Sequence, residues 1–167
     1  MVNGKNNWFE FSNGVFPFPV FMFIGSREDM SRTASCGFTG CQNPIKECDA
    51  SSLRSEMDRL FKDQPNTAPG ECISLVTEEG VKVFVVRVSE FNGSADSTAI
   101  LAHECLHAAL DVLGHSGVSE NAPNEALCYL HEAIFRKFVK NAFEWAGLMF
   151  NSASDFSKAI KKARCRK

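Results

Sequence analysis

The sequence predicts an α+β domain: a short antiparallel sheet packed on one long apolar helix, with a second long helix after it. Three observations carry this. Cys72–Thr77 and Val81–Ser89 are rich in Val, Ile and Phe and are separated by Glu78-Glu79-Gly80, which predicts a hairpin with a tight turn. Thr98–Leu113 is an apolar stretch with Asp96 or Ser97 as its N-cap and Gly114 as its stop, which predicts a buried helix. From about Ala122 to Phe150 a second helical pattern follows, with Pro123 suited to a first turn.

The remaining elements are read in chain order. Phe16–Ile24 predicts a first strand, its entry shaped by Pro17 and Pro19. Residues 26–48 are polar, with Gly and Cys and no clear period; a short helix is expected to begin near Glu28. Leu53, Met57, Leu60 and Phe61 have helical spacing and predict a helix over Ala50–Lys62. Gln64–Gly70 holds two Pro and a Gly and reads as a loop. Asn92–Ser97 and Gly114–Pro123 read as connections, and a final helix is expected over Ser154–Ala163. No internal repeat, low-complexity tract or linker is present.

At 167 residues the chain is expected to be one domain with a sizeable core. A formal charge of −2 gives no bulk electrostatic reason for nucleic-acid binding. The basic tail from about residue 158 (Lys158, Lys161, Lys162, Arg164, Arg166, Lys167) is the local exception, and such runs more often form a solvated helix end. The polar start, Met1–Asn7, reads as no export signal, and the apolar run Val15–Ile24 is too short to span a bilayer, so a cytoplasmic location is expected. The seven cysteines are then expected to be reduced. Cys36, Cys41 and Cys48 lack a CxxC pair and a clear fourth ligand for a second zinc. Cys105 and Cys128 are expected to pack as small apolar residues.

The chemistry concentrates in His103-Glu104-Cys105-Leu106-His107, an HExxH pattern. Two His four residues apart stack on one face of a helix, so both imidazoles reach one metal ion, with Zn²⁺ expected. Glu104 is placed to take a proton from the metal-activated water. The pentapeptide alone is not rare, and two His on a helix can be ordinary packed or surface residues. Three titratable groups in an apolar helix need partners, however, and a metal satisfies two of them directly.

A catalytic zinc needs three protein ligands and an open position. His115, Glu120, Glu125 and His131 are the candidates for the third. A turn after HExxHxxGxxH is ruled out, because Leu110 and Leu113 occupy the Gly and His positions. Glu125, in Asn124-Glu125-Ala126, lies eighteen residues past His107 and is the first choice, with His115 second. Glu125, Tyr129 and Glu132 share a helical face, while His131 points about 120° away from Glu125.

Over His103–Glu132 this layout resembles the gluzincin class of zinc metallopeptidases, in which a Glu on a second helix completes a His₂Glu site. It is also similar to small uncharacterised metallopeptidase-like proteins of bacteriophages, which would place the chain in a host cytoplasm. The ImmA/IrrE-type peptidases, with a Glu ligand on the following helix, and the SprT-like peptidases, with a third His, are other compact relatives. The resemblance implies a zincin fold, with an edge strand lining the cleft, and zinc held by His103, His107 and Glu125. It departs at Tyr129, where thermolysin-like enzymes carry an acid that orients a zinc-ligating His. Tyr129, the only Tyr, either bonds a ligand or steadies an oxyanion, or is a half-buried core aromatic. Asp111, one turn past His107, either orients an imidazole or is a solvated helix residue. The function expected is zinc-dependent hydrolysis of a peptide bond in a peptide or protein substrate, with Glu104 as general base. The alternative is a zinc-stabilised binding or inhibitory protein without turnover.

Overall fold

The computed structural model describes residues 7–12, 14–16, 18–39, 47–62, 67–77, 80–118 and 124–148. The final helix expected over 154–163, the basic tail and Glu120 lie outside them. The elements run β1 (Trp8–Phe11), β2 (Val20–Ile24), α1 (Arg27–Thr39), α2 (Glu47–Phe61), β3 (Gly70–Val76), β4 (Lys82–Val88), α3 (Ala95–His115) and α4 (Asn124–Trp145). This is the α+β arrangement that the sequence predicts. The sheet differs in one respect: it is mixed rather than wholly antiparallel. Its order is β1-β2-β4-β3, with β2 parallel to β4 and the outer pairs antiparallel. Strand β1 was not expected.

The apolar runs of β2 and β4 explain the layering. Val20 to Ile24 are buried without exception, and so are Val83 to Val88. A strand apolar on both faces needs cover on both. Val20, Met22, Ile24, Phe84, Val86 and Val88 pack with α3 and α4. Phe21, Phe23, Val83 and Val85 pack with Trp8, Leu75 and the α1 and α2 residues Met30, Ala34, Leu53 and Met57. The sheet is thus sandwiched between two helical pairs, α1–α2 on one face and α3–α4 on the other.

The N-cap of helix α3 lies two to three residues before the expected ones. Ser94 is the N-cap: its backbone is extended and its side chain accepts from the Ser97 amide. The helix also runs through Gly114. It stops where Gly117, at φ +74°, turns the chain. The Val118 amide donates to the Leu113 carbonyl at 3.0 Å and that of Gly117 to Gly114 at 3.3 Å, the pairing of a Schellman C-cap. Helix α4 ends the same way at Gly147, short of the expected Phe150: Leu148 N–H donates to Phe143 at 2.9 Å.

Helices α3 and α4 lie antiparallel. Gly93, just before α3, lies against Leu148 and Phe143 at the end of α4. Further toward the start of α4, His131 reaches the Ala102 carbonyl of α3. No helix among the described residues is long and apolar enough to cross a membrane.

One polar cluster is enclosed on the α1–α2 face. Glu71 of β3 and Arg87 of β4 are cross-strand partners, and the Arg87 side chain is wholly buried. Its Nε donates to Glu71, Nη1 to the Gly25 carbonyl at 3.0 Å and Nη2 to the Ala68 carbonyl at 2.8 Å. Arg27, at the start of α1, donates from Nε to both Glu71 oxygens at 2.9 and 3.0 Å, and its guanidinium lies over Phe61 of α2. Burial by itself would raise the Glu71 pKa; the hydrogen bonds and charges of the two arginines outweigh it and hold the carboxyl below its ordinary value. Glu71→Gln strips Arg87 of its counter-charge and is expected to destabilise the fold by about 3–5 kcal/mol in urea unfolding. Because the folded pKa is depressed, the wild-type contribution is full above the unfolded value near 4.5 and is lost as pH falls through the folded one. The gap between wild type and Glu71→Gln should therefore narrow below pH 4.5, and a constant gap from pH 7 to pH 2 would overturn this account.

Candidate metal centre

The helical period sets the arrangement of the motif. Leu101, Cys105, Ala108 and Val112 form the face of α3 that is buried on the sheet, which leaves His103 and His107 on the opposite, exposed face. Their Nε2 atoms stand 3.1 Å apart, and the two rings are nearly perpendicular, at 83°. Glu104 lies about 60° round the helix from His107. It is only 8% exposed and lies against Gly70 at the start of β3. Burial raises its pKa, with the nearby Glu71 adding to the shift; His103, His107 and Arg87 act against it. Leu106 and Leu110 are exposed on the other side of the His pair, toward α4.

The motif residues are therefore gathered; the third ligand is not. Among the described residues no group of three His, Cys, Asp or Glu side chains gathers as a metal would need. Glu125 is exposed in the first turn of α4. Tyr129, on the same stripe, is 70% exposed rather than a half-buried core aromatic. With Glu132, Arg136, Lys137 and Lys140 it lines a groove of about 540 Å³ on the outer side of α4. The inner side of α4 is set by Leu130, Ile134, Phe138 and Ala142, all buried against the sheet and α3.

The other candidates are engaged elsewhere. His115 stays on the unbroken α3, eight residues and about 12 Å of helical rise beyond His107. Its Nδ1 bonds the Asp111 carbonyl at 2.7 Å, and its ring lies against Phe84 and Phe18. His131 is half-buried between the helices: Nε2 donates to the Ala102 carbonyl at 3.1 Å and the ring stacks on Phe135. Asp111 is half-buried rather than solvated. Cys105 is buried, as expected, and burial pushes its thiol pKa far up, so it is not a reactive group. Cys128 is exposed, not packed, because it falls outside the apolar stripe of α4. The side chains of Cys36, Cys41 and Cys48 lie outside the described residues.

Sequence reasoning missed two neighbours of the motif. Gly70 was read as the end of a loop, although a Gly opening an apolar strand is a signal of close approach. As a sequence position His131 reads as a candidate ligand, yet its apolar flanks, Leu130 and Ile134, mark it as facing a packed surface.

No family model, curated protein or solved structure matches the chain. The resemblance therefore rests on the sequence motif alone.

His131→Leu puts an apolar side chain beside Phe135 and removes the donor to Ala102. The loss of one partly buried hydrogen bond is expected to cost about 1 kcal/mol in chemical denaturation. A variant as stable as wild type would show that the contact does not help to hold α4 on α3.

Proposed function

We propose that this chain is a zinc-dependent peptidase, with His103 and His107 as two zinc ligands, Glu125 as the third and Glu104 as general base. The observation that carries the reading is the 3.1 Å separation of the two Nε2 atoms on an exposed helix face. Two nitrogens each about 2.0–2.1 Å from one tetrahedral ion stand about 3.3–3.4 Å apart, so the pair needs only a small adjustment to share a zinc. Of the two facing nitrogens, at most one can donate to the other.

Zinc, when bound, supplies acidity to water and polarisation to a carbonyl. The rest of the work falls to the chain. Glu104 takes the proton of the attacking water and passes it to the leaving amine. Its carboxylate is buried on the strand side of the His pair, close to where a substrate would lie. Strand β3 is at the edge of the sheet, so an extended peptide could pair with it by main-chain hydrogen bonds and run past Glu104.

The axial register of the antiparallel helices supports Glu125. From the His131–Ala102 contact, Glu125 is six residues back along α4, about 9 Å, and His107 five residues on along α3, about 7.5 Å. The backbone positions of Glu125 and His107 are therefore at nearly the same level. What separates them is rotation about the α4 axis.

Glu104→Gln preserves size and removes the base. It should still bind one zinc, by elemental analysis, and cleave a quenched-fluorescence peptide library at least about a hundredfold more slowly. Equal turnover by wild type and variant would remove Glu104 from the mechanism. If both bind zinc and neither cleaves any peptide, the zinc-stabilised binding protein replaces the peptidase.

Zinc should also stabilise the fold. At free zinc about one hundred times Kd the linkage gain is about 2.7 kcal/mol, so chelation should lower Tm without unfolding a chain that has two apolar layers of its own. Glu125→Ala should shrink that zinc-dependent shift at fixed free zinc, while His131→Leu leaves it in place. A shift unchanged by Glu125→Ala would exclude Glu125 as a ligand.

A further inference from the structure

We propose that Gly70 is the positioning residue for Glu104: the missing side chain at the start of β3 is the seat in which the Glu104 carboxylate is held beside the His pair. This deepens the peptidase reading and rests on it for its catalytic consequence. The backbone of Gly70 is not in the left-handed region, so conformation does not demand a glycine there. Space does. A Cβ at this position would lie 2.6 Å from Ile100 Cγ2, 2.9 Å from Glu104 Cγ and 3.0 Å from Glu104 Oε1. Ordinary contacts between such atoms begin near 3.4 Å.

The question is which partner would yield, and the strand is the least able to. Around Gly70, Arg87 holds the Ala68 carbonyl at 2.8 Å, the Ser89 amide holds the Pro69 carbonyl at 2.9 Å, and Glu71 is clamped by Arg87 and Arg27. Ile100 is β-branched within a helix, where one χ1 rotamer dominates, so its methyl has little freedom. Glu104 remains. A Cβ within 2.9 Å of its Cγ cannot be relieved by a turn of the carboxylate alone; the side chain has to leave the strand, and the carboxylate goes with it. A general base displaced by about 1 Å loses on the order of a hundredfold in rate.

The test is a double-mutant cycle with a kinetic arm, on the full chain. Gly70→Ala is made in wild-type, Glu104→Ala and Ile100→Ala backgrounds, and unfolding is followed in urea. If Gly70 seats Glu104, Gly70→Ala destabilises the Glu104→Ala background clearly less than wild type. The Ile100→Ala background removes the tightest contact and keeps the kinetic comparison possible if Gly70→Ala alone does not fold. There, adding Gly70→Ala should lower kcat on the peptide library about a hundredfold, leave KM within about threefold, and leave zinc affinity of the His pair unchanged. The inference is overturned if Glu104→Ala leaves the cost of Gly70→Ala undiminished and Ile100→Ala abolishes it, because Gly70 then only clears Ile100. It is overturned equally if kcat is unaffected in the Ile100→Ala pair. A wild-type chain that neither binds zinc nor cleaves peptide, yet shows the coupling between Gly70 and Glu104, would sink the peptidase reading while the seat stands.

Discussion

The carboxylate of Glu71 is the point on which the rest of the structure turns. It is shared by Arg87, whose side chain is wholly buried in the sheet, and by Arg27 at the start of α1. The three residues come from β3, β4 and α1, and Phe61 of α2 covers the Arg27 guanidinium. A buried Arg is tolerated only if its donors are satisfied, and here a carboxylate and two main-chain carbonyls receive them. The cluster therefore fixes how an edge strand, a central strand and the α1–α2 layer meet. Successive residues of a strand face opposite ways, so clamping Glu71 from one side also fixes Gly70 on the other. The α3 helix then finds a rigid surface, and Glu104 lies against it.

The location of the candidate site follows from how the sheet is covered. Strands β2 and β4 are apolar on both faces, and each face takes a pair of helices. Helix α3 buries one face on the sheet and one flank against α4. Among the described residues, its far face, which carries His103 and His107, has no helix over it. The pair is exposed among the described residues, flanked by the edge of β3 on one side and by Leu106, Leu110 and α4 on the other. Under the proposed function, an extended peptide would pair with the edge of β3, since an edge strand offers unpaired main-chain groups.

Helix α4 shows why proximity along a sequence motif is not the same as convergence. The level of Glu125 matches that of His107, but the orientation of the helix is set by Leu130, Ile134, Phe138 and Ala142 packing inward. That turns Tyr129 outward, into the same groove as Glu132 and Arg136. It also turns His131 inward, where it donates to the helix that carries the motif. The apolar stripe, with many contacts, outweighs a single carboxylate in choosing the rotation.

Much was decided by sequence alone, and for local reasons. The stacking of His103 and His107 is a property of 3.6 residues per turn. The β3–β4 hairpin follows from two Val/Ile/Phe-rich runs about a turn. The two helices followed from apolar spacing, although their ends were misjudged because Ser94, Gly117 and Gly147 satisfied terminal groups better than the residues expected to. The tertiary structure alone decided the rest. The parallel pairing of β2 with β4 joins segments about sixty residues apart. The pairing of Glu71 with Arg87 depends on strand register, and Arg27 joins them from forty-four residues away. The seat of Glu104 on Gly70 needs β3 to be rigid and α3 to cross it at one place. Local periodicity fixes which side chains share a face, but only the packing of faces fixes what they meet.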